Sequence, residues 1–242
     1  MLYITINMIL VTSNELMIII PIIVVVIGLI AFLGYYFSAK QMVLRKLSKI
    51  PLKPATGLKT SELTKVTGKA LHVKAPLIAP LSGRECVFYT IKIEKRVSNG
   101  KSSHWKTVIK EEKTQEFFIS SNGDFVIVRP TQSPKNYISY LVKDKKTSSG
   151  TFNDPTPEFE ALLRQYNIDS LNFLGFNKSL RYKEGVIEIG EQITVSGIAK
   201  WKTLSEPIPD YHYSKIAELV SEGKEKLIIT DLPLKIKKRS RF

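Results

Sequence analysis

The chain has 242 residues, with 36 Lys and Arg against 22 Asp and Glu, a formal net charge of +14. At 43% hydrophobic residues it is too apolar to be disordered throughout, and its length suits one or two ordinary domains. One cysteine and three histidines exclude an internal disulfide and any multi-zinc module, and fit a reducing compartment.

The first element is apolar. Leu16 to Phe37 holds no charge over 22 residues, roughly 33 Å of helix, enough to cross a bilayer core. A cleaved signal needs a basic start, which the preceding fifteen residues lack, and a soluble core helix of this length would show a polar face. The run predicts a transmembrane anchor, with Pro21 in its first turns and Tyr35, Tyr36 and Phe37 as an interfacial belt. Residues 40–54 carry +5 and residues 1–39 carry −1. The positive-inside rule then leaves residues 1–15 as a short extracytoplasmic N-terminus and turns everything from about Ser38 to the cytoplasm, as a single-pass protein.

Residues 38–57 read as a basic juxtamembrane stalk. Val43, Leu44, Leu47 and Ile50 recur at helical spacing with cations between them, until Pro51 and Pro54 stop the helix. Lys40, Arg45, Lys46 and Lys49 are candidate contacts to anionic lipid head groups; a solvated stalk carrying topogenic charge reads equally well.

Beyond the stalk the periodicity is that of strands: Leu63–Val73, Cys86–Val97 and Trp105–Ile119 are rich in β-branched and aromatic residues. Asn99-Gly100 and Asn122-Gly123 predict the turns of two consecutive antiparallel hairpins. Residues 143–157 read as an exposed loop. A helix over Glu158–Tyr166 follows, capped by Asp154 or Thr156. A last β unit covers Tyr182–Trp201, and Ser214–Glu222 is expected to form a short helix. Residues 205–242 are thus expected to be a C-terminal extension ending in a basic tail, with Lys237, Lys238, Arg239 and Arg241 as further membrane-surface contacts.

Ala79-Pro80-Leu81-Ser82-Gly83 followed by Cys86-Val87-Phe88-Tyr89 resembles the start of the GIDE domain, also called BAM for "beside a membrane". Phe118-Ile119-Ser120, a turn at Gly123 and Val126-Ile127-Val128 resemble its central hairpin. Arg181-Tyr182-Lys183-Glu184 and Ile189-Gly190-Glu191-Gln192-Ile193-Thr194-Val195-Ser196-Gly197 resemble its C-terminal signature. The resemblance covers roughly residues 60–204, and it implies a GIDE/BAM-like β domain over 58–204, with Pro80, Gly83, Cys86, Tyr89, Gly123, Tyr182, Glu184, Gly190 and Gly197 as signature positions. The best-known members are mitochondrial outer-membrane ubiquitin ligases with two spans and a RING. This chain has no second apolar run, and one cysteine cannot supply a RING, so it resembles the RING-less prokaryotic relatives.

The signature reads physically as architecture: Gly190 as a tight turn launching a half-buried strand, Gly197 as a bulge or close backbone approach. Glu184 caps a turn, pairs with Arg181, or belongs to a site. Chemistry is sparse. No Walker loop or nucleophile elbow occurs, Cys86 lies in an apolar strand, and adjacent strand residues Glu111 and Glu112 point to opposite faces. No catalytic residue, metal site or cofactor is predicted.

The sequence thus predicts an α+β chain, predominantly antiparallel β with one or two short helices, on a single N-terminal transmembrane helix. The expected role is a non-catalytic adaptor or scaffold facing the cytoplasm, integral to the membrane and binding a protein partner there. By resemblance alone the alternative is a ubiquitin-ligase-like protein without its RING. A second alternative, a membrane-tethered nucleic-acid binder, rests on pI 9.7 and on His104-Trp105-Lys106 and Trp201-Lys202. It is disfavoured because the excess charge lies mainly at the stalk and tail.

Overall fold

The computed structural model describes residues 13–204 and 213–233. The chain divides into two units, Met1–Arg45 and Lys46–Phe242. In the first, helix α1 (Ser13–Tyr36) contains one stretch, Ile18–Tyr36, long and apolar enough to cross a membrane, and none of that stretch is buried. The helix starts earlier than the apolar run, so Pro21 lies two turns inside it and not in its first turns. It breaks at Phe37-Ser38, and helix α2 (Ala39–Ser48) begins afresh. Arg45 reaches back, its guanidinium 3.9 Å over the Tyr36 ring and Nη1 donating to the Tyr36 carbonyl at 2.6 Å, which satisfies one of the orphan carbonyls at the end of α1.

In the second unit Leu47 and Ile50 of the predicted stripe are buried, while Lys46 and Lys49 are exposed. Past Pro51 and Pro54 the chain enters strand β1 (Glu62–His72), then β2 (Leu77–Ile78), β3 (Glu85–Ser98), β4 (Ser103–Thr114), β5 (Phe117–Ser121) and β6 (Asp124–Val128). β7 (Tyr137–Tyr140), β8 (Lys145–Ser149), helix α3 (Pro157–Gln165), β9 (Leu180–Glu188), β10 (Gln192–Thr203), β11 (Lys215–Val220) and β12 (Leu227–Thr230) complete it.

Five strands close a barrel in the order β1-β5-β6-β11-β10, with β10 returning to β1. All neighbours are antiparallel except β6 and β11. The free edge of β10 is shared: β11 takes Ile198–Thr203, while β12 takes Thr194–Ser196 and carries β7 in parallel beyond it. In the second sheet β3 is central, with β4 and β2 along one edge and β9 then β8 along the other.

The register of β3 slips at Val87, so both Val87 and Phe88 pack into the barrel's core with Ile187, while Cys86 and Tyr89 face away from it. That other face, with Ile91, Ile93, Leu180, Tyr182 and Val186, is covered by Phe159, Leu162 and Leu163 of α3. Sequence dictates this helix. Thr156 accepts the Phe159 N–H at 3.3 Å, Pro157 opens the first turn, Glu158 and Glu160 sit where the dipole favours anions, and the apolar residues recur at i, i+3 and i+4.

Four expectations are corrected. Residues 215–220 form strand β11 and not a helix, because Ile216, Ala217 and Leu219 are needed to close the barrel between β6 and β10. Residues 213–233 are therefore part of the domain and not an extension of it. The loop expected at 143–157 contains edge strand β8, whose polar residues hide its pairing with β9. The strand expected at Trp105–Ile119 splits at Gln115-Glu116, where the chain leaves the second sheet for the barrel.

Candidate functional site

The sequence-predicted signature residues fall into two groups. Gly83, Gly123 and Gly190 have φ of +68°, +86° and +84°, so each occupies a turn conformation that other residues rarely adopt. A Cβ on Gly197 would lie 2.6 Å from Leu227 Cδ2 and 2.9 Å from the Val220 carbonyl oxygen, at the point where β11 gives way to β12 along β10. The expected close approach is there. The strand itself is more than half-buried, since Thr194 and Ser196 on its outer face are enclosed too.

The second group lies under the turn containing Pro80. Glu184 is fully buried and accepts the Tyr182 hydroxyl at 2.7 Å and the Leu81 N–H at 3.1 Å, with Arg84 Nη2 at 3.8 Å. It thus binds the Pro80 turn to β9, and Arg181 is not its partner. Arg84 goes on to Asp144 and Glu188 at the surface. Cys86 is buried; desolvation, then the Glu184 charge, pushes its thiol up to about 12, so it stays protonated at neutral pH.

Glu111 and Glu112 do point to opposite faces. Glu111 accepts the hydroxyls of Tyr89 and Tyr166, each at 2.7 Å, while Glu112 takes Tyr137 at 2.9 Å, Ser139 at 3.2 Å and Lys135. Burial, then these carboxylates, raises the ionisation of Tyr89, Tyr137 and Tyr166, so the phenols remain donors. Glu94 sits among Arg181 (2.5 Å), Lys92 (2.6 Å) and Lys183 (3.2 Å). Glu111 is thus met by phenols from β3 and from the residue just past α3, Glu112 by donors from β7 and the loop before it, and Glu94 by cations of β3 and β9. Among the described residues no group of three His, Cys, Asp or Glu is placed to hold a metal ion.

Both tryptophans invoked for nucleic acid are engaged within the protein. Trp105 lies under the Arg181 guanidinium at 4.2 Å, and Trp201 Nε1 donates to the Leu58 carbonyl at 3.1 Å. Lys46 and Lys49 border one groove, while Lys40 and Arg45 belong to the other unit; Lys237, Lys238, Arg239 and Arg241 lie outside the described residues.

A feature with no sequence signal is left uncovered. Beyond the ends of β8 and β9 the chain makes two neighbouring turns, tied by Asn177 to Asp154 and by the Ser149 hydroxyl to the Lys178 carbonyl at 3.0 Å. They carry Phe152 (102% exposed), Phe173 (94%), Leu174 and Phe176 into solvent. Beside them a cavity of about 700 Å³ opens between the end of α3 and this loop, lined by Arg164, Asp169, Asn172 and Lys178 among others. Residues 150–153 and 170–177 are uncharged, with Asp154, Asp169 and Lys178 at their borders, so the charge lies beside the apolar tips and not on them. Scattered single Phe and Leu residues look like core in a sequence, and only the turn geometry brings these four together.

Comparison with protein-family models, with curated proteins and with solved structures finds no match.

Proposed function

We propose that this chain is a membrane-anchored, non-catalytic adaptor of GIDE/BAM-like kind, whose α1 spans the bilayer and whose β domain binds a protein partner at the cytoplasmic face. The observation that carries this reading is the uncovered cluster of Phe152, Phe173, Leu174 and Phe176 on uncharged turns. Apolar side chains presented at turn tips cost free energy in water and gain it in a partner's pocket, the pattern of an interaction site. The hydrogen-bonded carboxylates Glu94, Glu111 and Glu112 give the same domain a rigid frame on which those turns are held.

The test is a photo-crosslinking residue at Phe173 in the membrane-embedded full chain, with Lys101 on the β3–β4 turn as control position. A discrete protein adduct at Phe173, absent at Lys101 and lost on F152S/F176S, is the expected result. Adducts to nucleic acid, to lipid alone, or equally from both positions would overturn the adaptor reading.

A further inference from the structure

A second surface of the β domain joins charge to apolar area. A groove of about 550 Å³ is rimmed by Lys46 at the end of α2, Lys49 just past it, and Lys224 and Lys226 in the turn between β11 and β12. None of the four forms an ion pair with a described carboxylate, although Lys226 Nζ donates to the Lys135 carbonyl at 3.3 Å; Glu225, the one acidic residue on the groove, lies beyond ion-pair distance. Ammonium groups gathered this way repel one another, and an anion between them removes that repulsion.

The floor is of different chemistry. Ile50, Leu63, Ile138 and Ile228, from four separate segments, line the same groove. A phosphate ion would satisfy the lysines and leave this floor wet. A lipid of neutral head group would cover the floor and leave the lysines facing each other. An amphiphile with a phosphate-bearing anionic head and an acyl chain meets both demands. The end of α2 is fixed to the barrel by Lys65 Nζ, which donates to the Leu47 carbonyl at 2.6 Å, so the lysines from α2 and from the β11–β12 turn are held on one frame.

We propose that this groove binds one anionic phospholipid. Resting on the reading of α1 as a membrane span, the supply is close at hand: ten residues separate Tyr36 from Lys46, at most about 35 Å of chain. Charge complementarity with an anionic leaflet names the occupant.

The experiment uses the full chain in a neutral detergent, so its outcome depends neither on α1 crossing a bilayer nor on any partner at Phe173. Short-chain phosphatidylglycerol, phosphatidylcholine of the same chain length, and inorganic phosphate are titrated and the bound species counted by native mass spectrometry. Phosphatidylglycerol is expected to bind one per chain, with phosphatidylcholine and phosphate weaker by roughly tenfold or more, and K49Q/K224Q to lose roughly tenfold in phosphatidylglycerol affinity. Those lysines are exposed, and an unchanged thermal midpoint verifies the fold of the variant. Phosphate binding as tightly as the lipid would make this a free-anion site. Equal phosphatidylcholine binding, or no loss in the double variant, would also overturn the proposal.

Discussion

Glu94 shows how one residue ties stability to pH. Arg181 first, then Lys92 and Lys183, hold its carboxyl down at about 2 against an ordinary 4.5, outweighing the burial that opposes them. A depressed carboxylate contributes stability that is present above its unfolded pKa and lost as pH falls through the folded one. The shift is worth about 3 kcal/mol at neutral pH. E94Q is therefore expected to lower unfolding free energy by about 2–3 kcal/mol at pH 7, and the gap between variant and wild type should close between pH 4.5 and 2. Denaturant titrations at several pH values check it; a gap independent of pH would show that packing alone is lost. Gly197 makes a steric counterpart. Its added methyl would meet the Val220 backbone, which cannot swing aside, so G197A should cost about 2–3 kcal/mol in the same titration, at every pH.

At the scale of elements, the hairpins and α3 were legible because their signals are local. Asn122-Gly123, both with positive φ, turns β5 into β6, and Thr156, Pro157 and the i, i+3, i+4 spacing make α3. Strand β11 reads as a helix in the sequence because KIAELV serves either period, and only the gap between β6 and β10 decides it. The carboxylates of the candidate site were visible as residues, but their phenol partners were not, since Tyr166 reaches Glu111 across 55 residues. The exposed phenylalanines were hidden for the converse reason: composition cannot tell a core side chain from one at a turn tip. The correction has a measurable consequence. A fragment 46–204 leaves β6 and β10 with open edges and the barrel core wet, and should lack native amide dispersion, while 46–233 should fold. If 46–204 gives the same dispersed spectrum, the barrel does not need β11.

For the whole molecule the open quantity is orientation. Five cations follow the apolar stretch within seventeen residues and none precede it, so residue 13 should be outside and the β domain inside. Cysteine placed at Ser13 should react with an impermeant maleimide in intact cells, and cysteine at the exposed Ser148 only after lysis. Cys86 needs no replacement in this assay, being buried with its thiol pushed up to about 12. Reaction at Ser148 in intact cells would reverse the topology.

The parallel pairing of β6 with β11 also sets a clock on biosynthesis. Ala217 pairs with Val126, which leaves the ribosome 91 residues earlier, about 5–20 s at ordinary translation speeds. Throughout that interval β6 waits with one side of its backbone unmatched, and β1 waits longer still for β10. Closure therefore waits for β11 and is dominated by contacts distant in sequence, a topology that folds slowly. A nascent chain stalled before residue 217 should present its half-built barrel to holding chaperones, and one stalled after β11 has cleared the ribosome should not.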